Sequence, residues 1–457
     1  MDTSQVRVAV IGGGPQGLCT LKNLLEEGFD ATLFEQRGCI GGLWAYTDDP
    51  NVTTVLESTL ANISKYKNCF ADFPTKDEDP VYLNQKQFLR YLQDYVQIFR
   101  LGEKIQLNTV VLEVISPHKD DQEEKYSSFD KVIIATGGKI IHSSRFKKPQ
   151  EFRDLDVMVV GFANTAADIS TELVGHAKKG YVSHRRGIYA FPRLVNGKPI
   201  DLIASRRFAT IAGTMAAIAP IRSLSIQDRR IDRTSKSCSK LDPAWNFRPA
   251  PSRSTNRVMV SDTFIPRLAD GSIKSVANLT QIIDKNTVEL ADGSNISVDC
   301  IIFCTGYARD PPLVTGIEEP IPSSNAQDNA KNHLQLLCEV ADLESMAIAQ
   351  IWKGAYQMLT ESQMNREIDA HHRWVNAALG DEPAAAVKVV QEAKWRAWLN
   401  DAAGTNVNEK LGVDSPHVMR LFDGRRRKWD GARDAIIRAN HDVEERYGKR
   451  TSGKKNT

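Results

Sequence analysis

No stretch of this chain is apolar for long enough to span a bilayer, and neither sign of charge dominates. Lys and Arg number 59 against 57 Asp and Glu, a formal net charge of +2, which gives no electrostatic case for nucleic acid as a partner. The seven cysteines are scattered without a C-x-x-C pair, so neither a metal site nor a dithiol redox centre is expected. Cys300 and Cys304 share one strand-like run and read as buried apolar filler. The first strand begins at Val6, which leaves no room for a signal or transit peptide, and the expectation is a reduced, cytoplasmic protein with no membrane span. At 457 residues the chain is too long for one core, so two or more domains are expected.

What is present starts at once. The stretch VRVAVIGGGPQG (Val6 to Gly17) is an apolar, β-branched run that ends in Gly12, Gly14 and Gly17, spaced G-x-G-x-x-G. Leu18, Leu21, Leu24 and Leu25 continue at helical spacing. Gly12 suits the tight turn, Gly14 lets backbone approach a pyrophosphate, and Gly17 lets the helix pack close on the strand. The helix N-terminus supplies free N–H groups and a positive dipole end. A second strand, ATLFE, ends in Glu35, about twenty residues on, where a carboxylate binds ribose hydroxyls. The Gly-Gly-Leu-Trp turn that follows adds Gly42, Leu43 and Trp44 as candidate cofactor contacts, with Trp44 also open to a packing role.

The pattern recurs mid-chain. VMVVGFANTAADISTELVGHAKKGYVSHRRG (Val157 to Gly187) again reads strand, turn, helix, strand, with Gly161, Ala163 and Ala166 in the three glycine places. Alanine is tolerated at the third place; at the second it puts a methyl where backbone should approach a pyrophosphate. Asn164 and Thr165 open the helix and are further candidate contacts. The second strand ends in Ser183, His184, Arg185 and Arg186 instead of a carboxylate, and a guanidinium there suits a ribose 2′-phosphate. One acidic and one basic ribose end imply two dinucleotides. NADPH fits the basic one and FAD the acidic one, because flavin takes a hydride and then meets oxygen. Between the two units, Phe88, Tyr91, Leu92, Tyr95 and Phe99 form a helical core stripe, and IQLNTVVLEVI (Ile105 to Ile115) alternates like a strand. DLESMAIAQIWKGAYQML and PAAAVKVVQEAKWRAWL read as C-terminal helices.

In this order, VIGGGPQG, GGLW, SKY…FADFP, FDKVIIATG, HSSRFKKP, SHRRG…FPR…NGKPID and DCIIFCTGY make the chain resemble the flavin-containing monooxygenases, the fungal members in particular. The resemblance covers most of the length. It implies an α/β fold of two dinucleotide-binding Rossmann-like domains, with the NADPH domain (147–304) inserted into an FAD domain built from 1–146 and 305–457, the latter ending in a helical region. It places Gly306 near the flavin and gives Asn62, in the TLANIS segment, the part of the residue that lies beside the flavin ring and helps retain the peroxide. The family fingerprint Phe-x-Gly-x-x-x-His-x-x-x-Phe/Tyr is matched by Gly138, His142 and Phe146, with Thr136 in the first place. A Baeyer–Villiger enzyme would carry Trp at Phe146.

The activity implied is transfer of one oxygen atom from O2, through a flavin hydroperoxide, to a soft nitrogen or sulfur nucleophile of a small molecule, in fungal relatives often within secondary metabolism. Three other readings stand beside it: a flavin-binding protein uncoupled from NADPH, an NADPH oxidase, and a Baeyer–Villiger oxygenase. The chain departs from the family in two short places, where Gly137 and Gly138 lead almost directly into His142 and between His333 and Ala341. No motif specifies the oligomeric state.

Overall fold

A computed structural model describes residues 3–112, 114–115, 131–134, 143–202, 211, 215, 218–252, 258–284, 286–305, 314–315, 338–379, 392–404 and 430–447. The opening apolar run forms β1 (Arg7–Ile11), buried from Val8 onward. A glycine turn leads into α1 (Pro15–Glu26), whose Leu18, Leu21 and Leu24 are wholly buried against the sheet core. β2 (Asp30–Phe34) runs parallel to β1 with Leu33 opposite Val10. The aromatic stripe becomes α2 (Gln85–Ile98), with Phe88, Tyr91, Leu92 and Tyr95 buried. Its start is set by a capping box: Asn84 accepts from the Gln87 N–H and Gln87 accepts from the Asn84 N–H. β3 (Ile105–Gln106) and β4 (Lys131–Ile134) complete a four-stranded parallel sheet in the order β3-β2-β1-β4.

The second unit repeats the plan. β5 (Asp156–Val160) is buried throughout, and α3 (Asn164–Glu172) follows its glycine turn. With β6 (Lys179–Ser183), β7 (Ile273–Val276) and β8 (Cys300–Phe303) it forms a parallel sheet ordered β7-β6-β5-β8. An antiparallel three-stranded sheet (279–297) packs Val288 and Leu290 against Met158 and Val160.

The chain then returns to the first unit. α4 (Cys338–Trp352) lies on α1, where Asn23 Nδ2 donates to Asp342 Oδ1 (2.8 Å) and Ser345 Oγ (2.7 Å). α5 (Glu392–Ala403) packs Leu399 and Ala402 on Leu343 and Met346. The first unit thus draws on chain from both sides of the second, which is the expected inserted arrangement. Among the described residues no helix is long and apolar enough to cross a membrane.

Two expectations are corrected. Among the described residues the alternation over 105–115 pairs at Ile105–Gln106 and Val114–Ile115; between them Leu107, Val110 and Leu112 are exposed, with no described strand beside them. The helix over Asp342 to Leu359 stops at Trp352, where Gly354 takes φ +77° and closes the end, leaving Tyr356 to Leu359 outside it. Cys300 and Cys304 are half-buried and pack against the core under β5, and burial pushes the Cys304 thiol up to about 12.

Gly17 yields a sharp prediction. A Cβ there would fall on the Gly12 carbonyl oxygen, so Gly17→Ala must lift α1 from β1. Despite alanine's better helix propensity, it should lose about 2–3 kcal/mol in urea unfolding, whereas Gly102→Ala, with open space around it, should stay within about 0.5 kcal/mol. Equal midpoints for the two variants would contradict this account.

Candidate functional site

The first glycine turn is a cradle without side chains. Gly12 takes φ +108° and donates its N–H to the Phe34 carbonyl (2.8 Å), closing the turn onto β2. Gly14 caps α1 in extended backbone, no side chain caps that end, and Pro15 in the first turn has no N–H to satisfy. The Gly41–Gly42 turn folds over this cradle. Gly41 takes φ +117° and donates to the Gly13 carbonyl (2.8 Å), and a Cβ on Gly42 would stand 2.9 Å from Gly14 Cα. Arg37 holds that second turn by donating to the carbonyls of Gly42 (3.1 Å) and Ala45 (2.7 Å). Its role has no signal in the local sequence pattern.

Glu35 directly follows β2 at 5% exposure and accepts from the N–H of Gly13 (2.6 Å) and of Arg37 (2.8 Å). A carboxylate offers about four acceptor positions, so two remain for ribose hydroxyls. Leu43 is exposed, and Trp44 packs on Phe88 with centroids 4.5 Å apart. An uncapped helix end, backbone free of side chains and a carboxylate at the ribose position together fit the pyrophosphate and ribose of FAD.

The second turn is built alike. Gly161 takes φ +135°, donates to the Ser183 carbonyl (2.9 Å), and has no space for a Cβ because the Cys304 backbone lies there. Ala163 caps α3 at φ −135° without strain and is exposed, while Ala166 is buried where the helix meets the strand. Asn164 Oδ1 is committed to the Val260 N–H (2.8 Å), and Thr165 is exposed. Arg185 and Arg186 are exposed just past the end of β6. His184 does not belong with them. It stacks face to face on Phe162 at 3.6 Å, touches Ser275 Oγ (2.9 Å) and the Arg186 carbonyl (3.1 Å), and burial lowers its pKa, so it is a neutral structural ring. Gly306, with Thr136, Gly138 and His142, lies outside the described residues; Phe146 is buried and stacks on Phe152.

Asn62 sits half-buried in the loop before α2, and the motif FPR…NGKPID reaches it from the second unit. The strand Ala190–Phe191 pairs in parallel with Met259–Val260, which sets Arg193 beside Asp262 two residues further along each chain. Asn196 (φ +52°) and Gly197 (φ +78°) then make a two-residue hairpin turn that carries the chain back to Asp201. Asp201 Oδ2 accepts from Ser64 Oγ (2.7 Å), the Asp201 carbonyl accepts from Lys67 Nζ (2.6 Å), and Tyr82 donates to the Arg193 carbonyl (2.6 Å). Arg193 Nη2 donates to Asn62 Oδ1 at 2.8 Å. The TLANIS, SKY and FPR…NGKPID stretches therefore meet in one polar junction between the two units. A separate cavity of about 620 Å3, between Tyr46, Leu56, Lys147 and His176, includes neither Asn62 nor a glycine turn.

A family model described as flavin-binding monooxygenase-like matches residues 5–133 and 125–375. Monooxygenase aurF of Gibberella zeae is 34% identical over 96% of this chain and 98% of its own length. That alignment runs over 525 positions against 457 residues, so the relative carries at least 68 that this chain lacks. Flavin-containing monooxygenase 5 of Oryctolagus cuniculus is 26% identical over 94% of this chain and 91% of its own. Among solved structures, an S-allyl-L-cysteine S-oxygenase from Allium sativum shares the fold at TM-score 0.57, with 18% identity over 96% of this chain and 93% of that one.

Glu344 on α4 accepts from the Gln16 side chain (3.4 Å) at the mouth of the first cradle, and burial pushes its carboxyl up to about 7. Below that pH it is neutral; above it, a carboxylate opposes a diphosphate. FAD affinity, read by flavin fluorescence, should fall as pH rises through about 7, and Glu344→Gln should flatten the profile. A flat profile in the unmodified protein would count against the placement.

Proposed function

Because this chain belongs to the flavin-binding monooxygenase-like family, we propose that it uses FAD, NADPH and O2 to transfer one oxygen atom to a nucleophilic nitrogen or sulfur of a small molecule. One observation carries the cofactor assignment: two turns of the same geometry end in opposite charges, Glu35 after the first and Arg185 after the second. FAD, when bound, accepts the hydride and activates oxygen.

The protein's own residues bind and orient. The backbone of Gly12 to Gly17 and the uncapped end of α1 take the FAD pyrophosphate, with Glu35 on its ribose and Gly42, Leu43 and Trp44 closing over it. Residues 147–304 form the NADPH-binding domain, with Gly161, Asn164 and Thr165 at the pyrophosphate and Arg185 on the 2′-phosphate. Asn62 offers a hydrogen bond at the reacting end, and Gly306 returns the chain toward the flavin. Phe146, where a Baeyer–Villiger enzyme would carry Trp, supports attack by a soft nucleophile over ring expansion. An amine, hydroxylamine or thioether of specialised metabolism, met in the cytoplasm, fits this chemistry.

The test is product formation under labelled oxygen, with NADPH and a panel of tertiary amines and thioethers. One labelled oxygen per product and one NADPH consumed per product are expected. Peroxide released in proportion to NADPH would instead make the protein an oxidase, and absence of flavin reduction would make it uncoupled. If Ala163 is what hinders NADPH, Ala163→Gly restores reduction in that last case.

Arg185→Ala should weaken NADPH about ten- to hundredfold, as loss of charge-assisted hydrogen bonds to a phosphate does, and leave NADH almost unchanged. The ratio of KM values for the two cofactors reads this directly; equal loss for both would remove Arg185 from the 2′-phosphate.

A further inference from the structure

Arg193 is 9% exposed and makes three of its side-chain hydrogen bonds to one loop of the other unit. Nε donates to the Ala61 carbonyl (3.2 Å), and Nη2 donates to the Leu60 carbonyl (3.1 Å) and to Asn62 Oδ1 (2.8 Å). Nη1 donates to Asp262 Oδ2 (2.9 Å), whose other oxygen accepts from the Arg193 backbone N–H (2.8 Å). The carboxylate thus holds both ends of the residue, and the guanidinium grips three successive positions of the loop.

This contact decides which end of the Asn62 amide is presented. A guanidinium has five N–H donors and no acceptor, so the amide atom facing it has to be the oxygen. The Nδ2 hydrogens, which make no hydrogen bond to protein among the described residues, are left for an incoming group. We infer that Arg193 is a positioning residue for the monooxygenase site: from the second unit it locks the Asn62 carbonyl, so that the loop offers a hydrogen-bond donor and never an acceptor to the reacting centre. The inference rests on the reading of Asn62 as a residue beside the flavin. A donor suits an oxygen gaining negative charge, and an amide already held in that orientation has no need to turn over as the charge develops.

Two substitutions separate the lock from the donor. Asn62→Asp keeps an oxygen for Arg193 and turns the contact into an ion pair, yet removes both N–H groups. Arg193→Lys keeps the charge but cannot serve three acceptors in one planar fork. Asp262→Asn, which weakens the hold on Arg193 without touching the loop, covers the case that Arg193→Lys folds poorly.

Three quantities are read for each variant: the thermal midpoint of the chain, FAD affinity by fluorescence, and peroxide released per NADPH with a thioether present. Asn62→Asp should keep the midpoint and hold FAD within about twofold, while peroxide release rises about tenfold, the factor that one such hydrogen bond commands. Arg193→Lys should lower the midpoint and also raise peroxide release. The double variant should release no more peroxide than Asn62→Asp alone, since both act through one amide.

Peroxide release from Asn62→Asp equal to that of the unmodified protein would overturn the inference, as would additive effects in the double variant. An unmodified protein that forms no oxygenated product overturns the functional reading, and with it the part assigned to the donor. The midpoints then still report whether Arg193 holds the loop.

Discussion

Backbone touches backbone where α1 crosses β1 at Gly12 and Gly17, and that contact leaves no room for a single side-chain carbon. Because the helix lies flush, Leu18, Leu21 and Leu24 reach the sheet, and its first turn opens beside Glu35 and the Gly41–Gly42 turn. The outer face of α1 in turn seats α4. Lys22, almost wholly buried, pairs there with Asp72 and with Glu26 (2.9 Å), while burial pushes the Asp342 carboxyl up to about 6 even though Asn23 and the Ala71 N–H (3.0 Å) both donate to it. A buried ion pair of this kind costs desolvation and adds little net stability, but it is directional. The docking of α4 on α1 is fixed instead by the Asn23 hydrogen bonds to Asp342 and Ser345.

The junction between the two units follows the same logic with polar contacts. Asp201 and Arg193 meet Ser64, Lys67, Tyr82 and the 60–62 loop through hydrogen bonds, each with a defined direction. Apolar contact tolerates sliding; a fork of donors on three successive loop positions does not. The two glycine turns and the Asn62 loop are therefore held in one geometric relation by these directed contacts.

Legibility in the sequence tracks the range of the interaction involved. The aromatic stripe of α2 reads as a buried helix because period and partner lie within one element. The two glycine turns read as well, since strand, turn, helix and ribose end are contiguous. Where burial depends on a distant neighbour the reading fails: 107–112 alternates with no strand beside it among the described residues, and the basic run after β6 loses His184 to a stack on Phe162. Arg37 and Arg193 escape notice for the same reason, their acceptors being carbonyls that any sequence possesses.

By itself, then, the sequence determined the two Rossmann-like units, the opposite charge of their ribose ends and the order in which the chain visits them. Those follow from backbone sterics at glycine and from local periodicity, which act over a few residues. Only the tertiary structure decided which way the Asn62 amide faces and what holds it there, because 131 residues separate it from Arg193 and a hydrogen bond depends on the positions of two atoms, not on the spacing of two letters.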